Sequence, residues 1–130
     1  MQKISMLGSG FIGRFYTDSL HGYRNKDRVV SIYSRREESA KKFAEDYDVP
    51  HWTTDMEESI AHKDVDVVCI SLPNNLHEEA VHLCCKHNKA VICTKPLGRT
   101  AEEAKRMVEA VEKAEIFAGY LEDLCYTPKF

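Results

Sequence analysis

The feature that most constrains this chain is a set of three glycines spaced as G-x-G-x-x-G directly after a short apolar segment. Residues 3–7 predict a β-strand, and the glycines follow at Gly8, Gly10 and Gly13. Here the first glycine allows a tight turn, the second allows a phosphate to approach the backbone, and the third allows a helix to pack closely on the strand. The pattern therefore predicts a binding site for the pyrophosphate of a dinucleotide. The residues predicted to form this site are Gly8, Ser9, Gly10, Phe11, Ile12 and Gly13.

Strands and helices alternate along the rest of the chain with short connections. The hydrophobic periodicity predicts strands over residues 3–7, 28–33, 49–52, 65–72, 89–93 and 116–120. It predicts helices over residues 11–21, 36–47, 55–61, 76–86 and 100–114. This alternation is typical of an α/β Rossmann fold, a doubly wound parallel sheet in a single domain, which we assign to residues 1–120. Ligands of such sheets bind at the carboxyl ends of the strands, so the candidate functional residues are sought there.

Composition argues against several other classes of protein. The net charge of −3 over 130 residues does not favour nucleic-acid binding, and no apolar run approaches the roughly 20 residues of a membrane span. The 5 cysteines are odd in number and lack C-x-x-C spacing, so we expect no disulfide framework and a cytoplasmic protein. We also expect no metal site, because the two histidines of the cluster His82, Cys84, Cys85 and His87 do not share a helix face.

The segment after the second strand bears on the choice between NAD and NADP. A Rossmann domain selective for NAD usually has an acidic residue here, which binds the ribose 2′-hydroxyl. This chain has Ser34 followed by Arg35 and Arg36, and a hydroxyl with two guanidinium groups suits a 2′-phosphate. The alternative is that both arginines are solvated charges that pair with Glu37 and Glu38. We favour the phosphate interpretation, and therefore expect NADP in preference to NAD.

Polar residues also follow the fourth strand, where Leu72, Pro73 and Asn74 lead into a predicted helix. With Asn75 as the helix cap, His77 lies in the first helical turn, near the carboxyl edge of the sheet. In one interpretation these residues border the nicotinamide or the substrate. In the other, His77 is simply a polar residue at a helix start, and spacing alone leaves both interpretations open.

The fifth strand leads into Lys95 and Pro96. A lysine at the carboxyl end of a strand can project its ammonium group into the crevice. There it can hydrogen-bond a substrate oxygen and stabilise developing negative charge. The alternative, which spacing alone favours, is an exposed loop lysine.

Three segments together resemble the N-terminal domain of the family that contains glucose–fructose oxidoreductase, inositol dehydrogenase and MocA-like proteins. They are the glycine turn, the segment with Pro73 and His77, and Thr94-Lys95-Pro96-Leu97. The last is similar to the family's Glu-Lys-Pro signature, with Thr94 where Glu is commonest. The resemblance covers essentially the whole chain, and it implies that Lys95 contacts the substrate and supports hydride transfer. Lys95 is therefore the catalytic candidate.

The resemblance further implies an NAD(P)-dependent oxidoreductase that moves hydride between the nicotinamide and a sugar, an inositol or a related hydroxyl-bearing substrate. Residues 121–130 resemble the start of the family's crossover into a second domain, which supplies the substrate pocket and usually the oligomer interface. That C-terminal substrate domain is not among these 130 residues. We therefore expect the chain alone to bind dinucleotide without being a competent dehydrogenase, and the full-length form to be a homo-oligomer. The alternative is a non-catalytic nucleotide-binding or regulatory module of the same fold.

Overall fold

In the part of the chain that the structure describes, six β-strands form one sheet, in which every pair of neighbouring strands is parallel. The computed structural model describes residues 1–23, 26–122 and 128. Its strands are β1 (Lys3–Leu7), β2 (Arg28–Tyr33), β3 (His51–Thr53), β4 (Val67–Ile70), β5 (Ala90–Thr94) and β6 (Ala118–Leu121). Its α-helices are α1 (Phe11–Gly22), α2 (Glu37–Tyr47), α3 (Met56–Ala61), α4 (His77–Lys86) and α5 (Ala101–Ala114). Each predicted strand and helix is present in the predicted order, and the α/β Rossmann class is confirmed.

The order of the strands fixes where a ligand binds. The order is β3-β2-β1-β4-β5-β6, so the chain first builds outward from β1 on one side and then from β4 on the other. Because all strands are parallel, their carboxyl ends lie at one edge of the sheet. Ligands of doubly wound sheets bind outside those ends, at the point where the order reverses. The glycine turn after β1 and Ser71 after β4 meet at that point.

The third strand begins two residues later than predicted, because of the way in which α2 ends. Asp48 adopts a left-handed conformation with φ of 53°, and the N–H of Val49 donates a 2.9 Å hydrogen bond to the carbonyl of Ala44. Val49 is therefore buried at the end of the helix instead of being paired in the sheet. The strand lies at an edge of the sheet, as Pro50 predicts.

Two helix starts are capped as their sequences indicate. The Asp55 carboxylate accepts a 3.0 Å hydrogen bond from the N–H of Glu58, at the start of α3. The Thr100 hydroxyl accepts a 3.2 Å hydrogen bond from the N–H of Glu103, at the start of α5. Both helices therefore begin where their first polar side chain satisfies a backbone donor.

The prediction that Asn75 caps the fourth helix is wrong. A 3₁₀ turn, Asn74–Leu76, precedes α4. This turn is closed by a 2.9 Å hydrogen bond from the N–H of Leu76 to the carbonyl of Pro73, and α4 begins at His77. The N–H of His77, one of the donors that an Asn75 cap could have served, donates instead to the carbonyl of Asn74.

Two apolar clusters pack the sheet against its helices. One cluster joins β1, β4 and β5 to α3, α4 and α5, and its fully buried members include Leu7, Ile60, Ile70 and Met107. The other joins β1 and β2 to α1 and α2, and includes Met6, Ile32 and Phe43. Burial of side chains of this size contributes about 1.5–3 kcal/mol each, so the two clusters provide most of the driving force for folding.

Three buried serines link α3 to the sheet. The Ser59 hydroxyl on α3 lies 2.8 Å from that of Ser5 on β1 and 2.7 Å from that of Ser31 on β2. The Ser31 hydroxyl also lies 2.9 Å from Nδ1 of His51 on β3. Because these polar groups satisfy one another, they specify how α3 sits on the strands that precede the candidate site.

Part of the sheet face beside α1 is left uncovered by the described helices. A groove of about 610 Å³ lies there, and its lining includes Gln2, Asp27 and Val67 at the amino ends of β1, β2 and β4. Leu121, the last residue of β6, also lines it. Its lining contains none of the residues predicted to bind cofactor, so this groove is not the predicted dinucleotide site.

The predicted crossover, residues 121–130, falls mostly outside the described residues, since only residues 121, 122 and 128 of it are described. In the part of the chain that the structure describes, no helix combines the length and the apolar character needed to cross a membrane.

Candidate functional site

The three glycines of the turn have different surroundings. Gly8 has a φ of +109°, in the region that favours glycine, and a Cβ there would lie 2.5 Å from the Ser71 carbonyl oxygen. At Gly13, a Cβ would lie 2.2 Å from the Gly8 carbonyl oxygen. At Gly10, a Cβ would meet no atom of the described residues within 4 Å. Packing inside the chain therefore requires Gly8 and Gly13 to be glycine, whereas the missing side chain at Gly10 leaves open space in front of α1.

Helix α1 begins directly behind this open space, with Gly10 as its N-cap residue. No described side chain caps the helix, and its first turn contains no acidic residue. The first N–H groups of an α-helix have no acceptor within the helix, and the helix dipole adds positive potential there. The side chains of Phe11 and Ile12 are 79% and 42% exposed. The start of α1 therefore offers backbone donors to an anion such as a phosphate group.

Ser71, at the end of β4, holds the glycine turn in place. Its N–H and its hydroxyl donate to the Leu7 carbonyl oxygen at 2.9 and 2.8 Å. The hydroxyl also lies 3.3 Å from the Gly8 carbonyl oxygen. Sequence reasoning missed this role. The available signal was that a small polar residue, Ser71, directly follows the strand β4, which pairs with β1. It therefore lies opposite Gly8 and Gly13, the two glycines that require close contact.

The residues after β2 lie at the same edge of the sheet. Ser34 is buried, and its hydroxyl accepts a 2.9 Å hydrogen bond from the hydroxyl of Ser9 in the glycine turn, so its own proton is left to donate. Arg35 and Arg36 are exposed, and no described residue forms an ion pair with either. Glu37, one of their expected partners, instead pairs at 2.6 Å with a lysine one turn later in α2. The two guanidinium groups therefore remain available to an external anion.

The segment after β4 is divided between the surface and the interior. Pro73 and Asn74 are exposed and Leu72 is half-buried. His77 is fully buried, at 0% exposure, and its two ring nitrogens contact carbonyl oxygens of Leu72 on one side and of Pro96 on the other, each at 2.9 Å. The side chain of His77 thus lies between the segments that follow β4 and β5, and its ring is turned to the interior.

Lys95 lies at the carboxyl end of β5 with an exposed side chain, and no described residue forms an ion pair with its ammonium group. The peptide bond between Lys95 and Pro96 is cis. The two residues before Lys95, which are Cys93 and Thr94, are buried. Burial raises the pKa of the Cys93 thiol to about 12, so this sulfur stays protonated and is no nucleophile near neutral pH. At this strand end, the ammonium group of Lys95 is therefore the side-chain group suited to contact a ligand.

The described residues contain no group of three or more His, Cys, Asp or Glu side chains arranged to hold a metal ion. Nε2 of His82 on α4 and Nε2 of His87 at its C-cap contact the carboxylates of two different glutamates. The first lies 3.6 Å from Glu78, and the second lies 2.7 Å from Glu57.

Known proteins show the same arrangement of sequence and fold. The family model described as "Oxidoreductase family, NAD-binding Rossmann fold" (GFO/IDH/MocA) matches residues 2–120. The trans-1,2-dihydrobenzene-1,2-diol dehydrogenase of Bos taurus is 33% identical over 113 residues, which are 86% of this chain and 34% of that protein. The scyllo-inositol 2-dehydrogenase (NADP(+)) IolU of Bacillus subtilis (strain 168) is 30% identical over 112 residues, which are 86% of this chain and 34% of that protein.

A solved structure agrees with these relatives. The crystal structure of a probable dehydrogenase from Thermotoga maritima is 29% identical and superposes with a TM-score of 0.86, over 91% of this chain and 35% of that chain. The present chain therefore spans about one third of the length of the relatives that it matches. The part that matches contains the glycine turn, the arginines after β2, His77 and Lys95.

Proposed function

Because the chain belongs to the GFO/IDH/MocA oxidoreductase family and forms its NAD-binding Rossmann domain, we propose that it binds NADP in preference to NAD. We further propose that the enzyme of which it is the cofactor domain moves hydride between that cofactor and a sugar, an inositol or a related hydroxyl-bearing substrate. The observation that carries the proposal is the open space at Gly10 in front of the unpaired N–H groups of α1. The fold leaves this space free at the point where a doubly wound sheet binds a pyrophosphate.

The preference for NADP rests on the end of β2. Ser34 has a hydroxyl proton left to donate. Arg35 and Arg36 lie at the same edge of the sheet, and no described residue forms an ion pair with their guanidinium groups. No carboxylate occupies these three positions, so nothing there repels a 2′-phosphate or selects a free 2′-hydroxyl. The printed name of the Bacillus subtilis relative includes NADP(+), which supports the same choice.

The nicotinamide end is assigned to the segments that follow β4 and β5. Leu72, Pro73 and Asn74 border it on one side, and Lys95 on the other. Lys95, whose ammonium group pairs with none of the described residues, orients the substrate oxygen and stabilises negative charge on it as hydride is transferred. The substrate class follows the printed names of the relatives, which include an inositol dehydrogenase and a dihydrodiol dehydrogenase.

The rest of the enzyme lies outside this domain. We propose that residues 121–130 lead into a second domain, because the relatives are about three times as long as this chain. Such a domain completes the substrate pocket, and the complete enzyme is a homo-oligomer. Dehydrogenase activity is then expected of the complete enzyme, and cofactor binding of this domain alone.

Titration calorimetry of the chain with NADPH and with NADH tests the cofactor assignment. NADPH is expected to bind at least tenfold more tightly, since one charge-assisted contact to a phosphate is worth about 1.5–3 kcal/mol. Arg35→Ala should remove most of that difference and leave the affinity for NADH unchanged. Arg28→Ala is the matched control, because Arg28 is an exposed arginine at the start of β2, whereas Arg35 follows the end of that strand. Equal affinities in the wild type, or equal losses in both variants, would overturn the assignment.

A second experiment tests the pyrophosphate site itself. Gly10→Ala adds a methyl group in a space that is free in the protein, so the fold should tolerate it while both dinucleotides bind about tenfold or more weakly. Unchanged affinity in a stably folded Gly10→Ala protein would contradict the proposed position of the pyrophosphate.

Lys95→Ala separates an enzyme from a non-catalytic module of the same fold. In the full-length enzyme this substitution should lower kcat by at least about a hundredfold, as expected for loss of a charge-stabilising group, with little change in cofactor affinity. Turnover that is unaffected by the substitution would mean that Lys95 is not the catalytic residue.

A further inference from the structure

The fully buried His77 is the point where the segments after β4 and β5 meet. Its Nε2 lies 2.9 Å from the carbonyl oxygen of Leu72. Its Nδ1 lies 2.9 Å from the carbonyl oxygen of Pro96 and 3.2 Å from that of Leu97. The imidazole ring therefore spans the gap between the two segments, with its shape matched to a backbone acceptor at each end.

The chemistry around the ring fixes what it can do. The contacts at both ends are carbonyl oxygens, which only accept hydrogen bonds, so whichever ring nitrogen carries a proton donates to one of the two segments. The other polar neighbour is the thiol of Cys93, whose sulfur lies 3.4 Å from Nδ1 and which burial keeps protonated by raising its pKa to about 12. With 0% exposure and contacts on both nitrogens, His77 has no ring nitrogen left for a ligand.

The geometry points to His77 as a positioning residue, which holds the loop that carries Lys95 at a fixed distance from the loop that carries Pro73 and Asn74. This inference rests on the proposed function, because those two loops are the ones assigned to the nicotinamide end of the site. It changes the role of His77 from a residue that borders the cofactor to one that acts through Leu72 and Pro96. The side chain does not touch the cofactor. Its effect is to hold the loop with Lys95 and the loop with Pro73 and Asn74 in a fixed position relative to each other.

Hydrogen exchange of the cofactor-free chain, followed by mass spectrometry, tests the coupling of the two loops. His77→Leu removes the N–H donor, so backbone amides in peptides covering residues 71–76 and 94–99 should exchange about five- to tenfold faster. The matched control is His82→Leu, because His82 lies on the same helix with a half-exposed side chain paired to Glu78. Unchanged exchange in both loops of His77→Leu would overturn the inference, whether or not the wild type binds a dinucleotide.

The two amide substitutions show whether the hydrogen bond or only the bulk of the ring matters. In His77→Asn the amide nitrogen replaces Nδ1 and can donate to Pro96, and in His77→Gln it replaces Nε2 and can donate to Leu72. At least one of these variants should restore slow exchange in the loop that it reaches. If both variants behave like His77→Leu, the N–H donor is not what holds the loops, and the inference fails.

Binding of a truncated ligand tests the consequence for the site. NADPH and 2′-phospho-ADP-ribose share every group except the nicotinamide, so the ratio of their dissociation constants measures the nicotinamide end alone. His77→Leu should weaken NADPH about five- to tenfold and change the affinity for 2′-phospho-ADP-ribose less than twofold. A general loss of structure would weaken both ligands equally, and that result would overturn the positioning role. Failure of the wild type to bind either ligand would instead overturn the proposed function. The hydrogen-exchange result would still stand, because that experiment uses the cofactor-free chain.

Discussion

A single methyl group added at Gly13 should destabilise the fold far more than the same group added at Gly10. At Gly13 the new carbon would lie 2.2 Å from the Gly8 carbonyl oxygen and 2.9 Å from the Ser71 hydroxyl oxygen. An ordinary contact at van der Waals distance is about 3.5 Å, so α1 would have to move away from the turn by roughly 1 Å. The nearest obstacle is a backbone atom, which cannot rotate out of the way.

The size of the effect follows from two opposing contributions. Overpacking a close contact costs about 1–3 kcal/mol, and the upper end applies at Gly13 because backbone meets backbone there. Replacing a helical glycine by alanine contributes about 1 kcal/mol in the opposite direction. Gly13→Ala should therefore lower the free energy of unfolding by about 2 kcal/mol. Gly10→Ala has no steric cost, and because alanine is a poorer N-cap residue than glycine, it should lower the free energy of unfolding by less than 1 kcal/mol.

Urea denaturation followed by far-ultraviolet circular dichroism measures both changes. The slope of the free energy against urea should be unchanged in both variants, and only the midpoint should move. The two substitutions add the same atoms within one turn of chain, so Gly10→Ala controls for side-chain chemistry. Equal stability of Gly13→Ala and the wild type would show that α1 can shift without cost, and would refute the close packing derived for the turn.

Three further outcomes can be measured on the same domain. A hydrogen bond from the Arg99 guanidinium holds the pKa of Glu103 below its ordinary value of 4.5. The ionised carboxylate therefore stabilises the fold above pH 4.5, and this stabilisation is lost as the pH falls through the lowered pKa. Glu103→Gln should thus reduce the loss of urea resistance between pH 7 and pH 3.5, and an unchanged loss would contradict this contribution. Ser59→Ala should lower the free energy of unfolding by about 1–3 kcal/mol, because two buried hydroxyls lose a partner; a change below about 0.5 kcal/mol would count against the network. Iodoacetamide at pH 8 should modify Cys85, the half-buried thiol, before Cys93, whose pKa is about 12; peptide mass spectrometry that shows the reverse order would refute the burial argument.

The fold class and most of the candidate site followed from patterns that are local in the sequence. The alternating apolar segments predicted each strand and helix in order, since side-chain periodicity depends on the local backbone geometry. The glycine turn was placed correctly because its spacing is set by one strand, one turn and one helix. The ends of elements were less predictable. The start of α4 depends on a 3₁₀ turn closed by Pro73, and the start of β3 depends on the left-handed residue Asp48.

The residues that hold the site together could not be read from the sequence in the same way. Ser71 contacts backbone atoms 63 and 64 positions away along the chain. His77 joins a residue 5 positions away to residues 19 and 20 positions away. The same holds for the hydrogen bond between Ser9 and Ser34, which joins two strand ends. Nothing in the local pattern of a strand end indicates which distant backbone group lies opposite.

By itself, the sequence determined that this protein is an alternating α/β domain with a glycine turn after its first strand and a lysine after its fifth. Only the tertiary structure decided that His77 is turned to the interior, that Gly10 faces open space, and that no described residue forms an ion pair with Arg35 or Arg36. The physical reason is that periodicity and turn chemistry are properties of neighbouring residues, whereas burial and hydrogen-bond partners depend on which strands the sheet brings side by side.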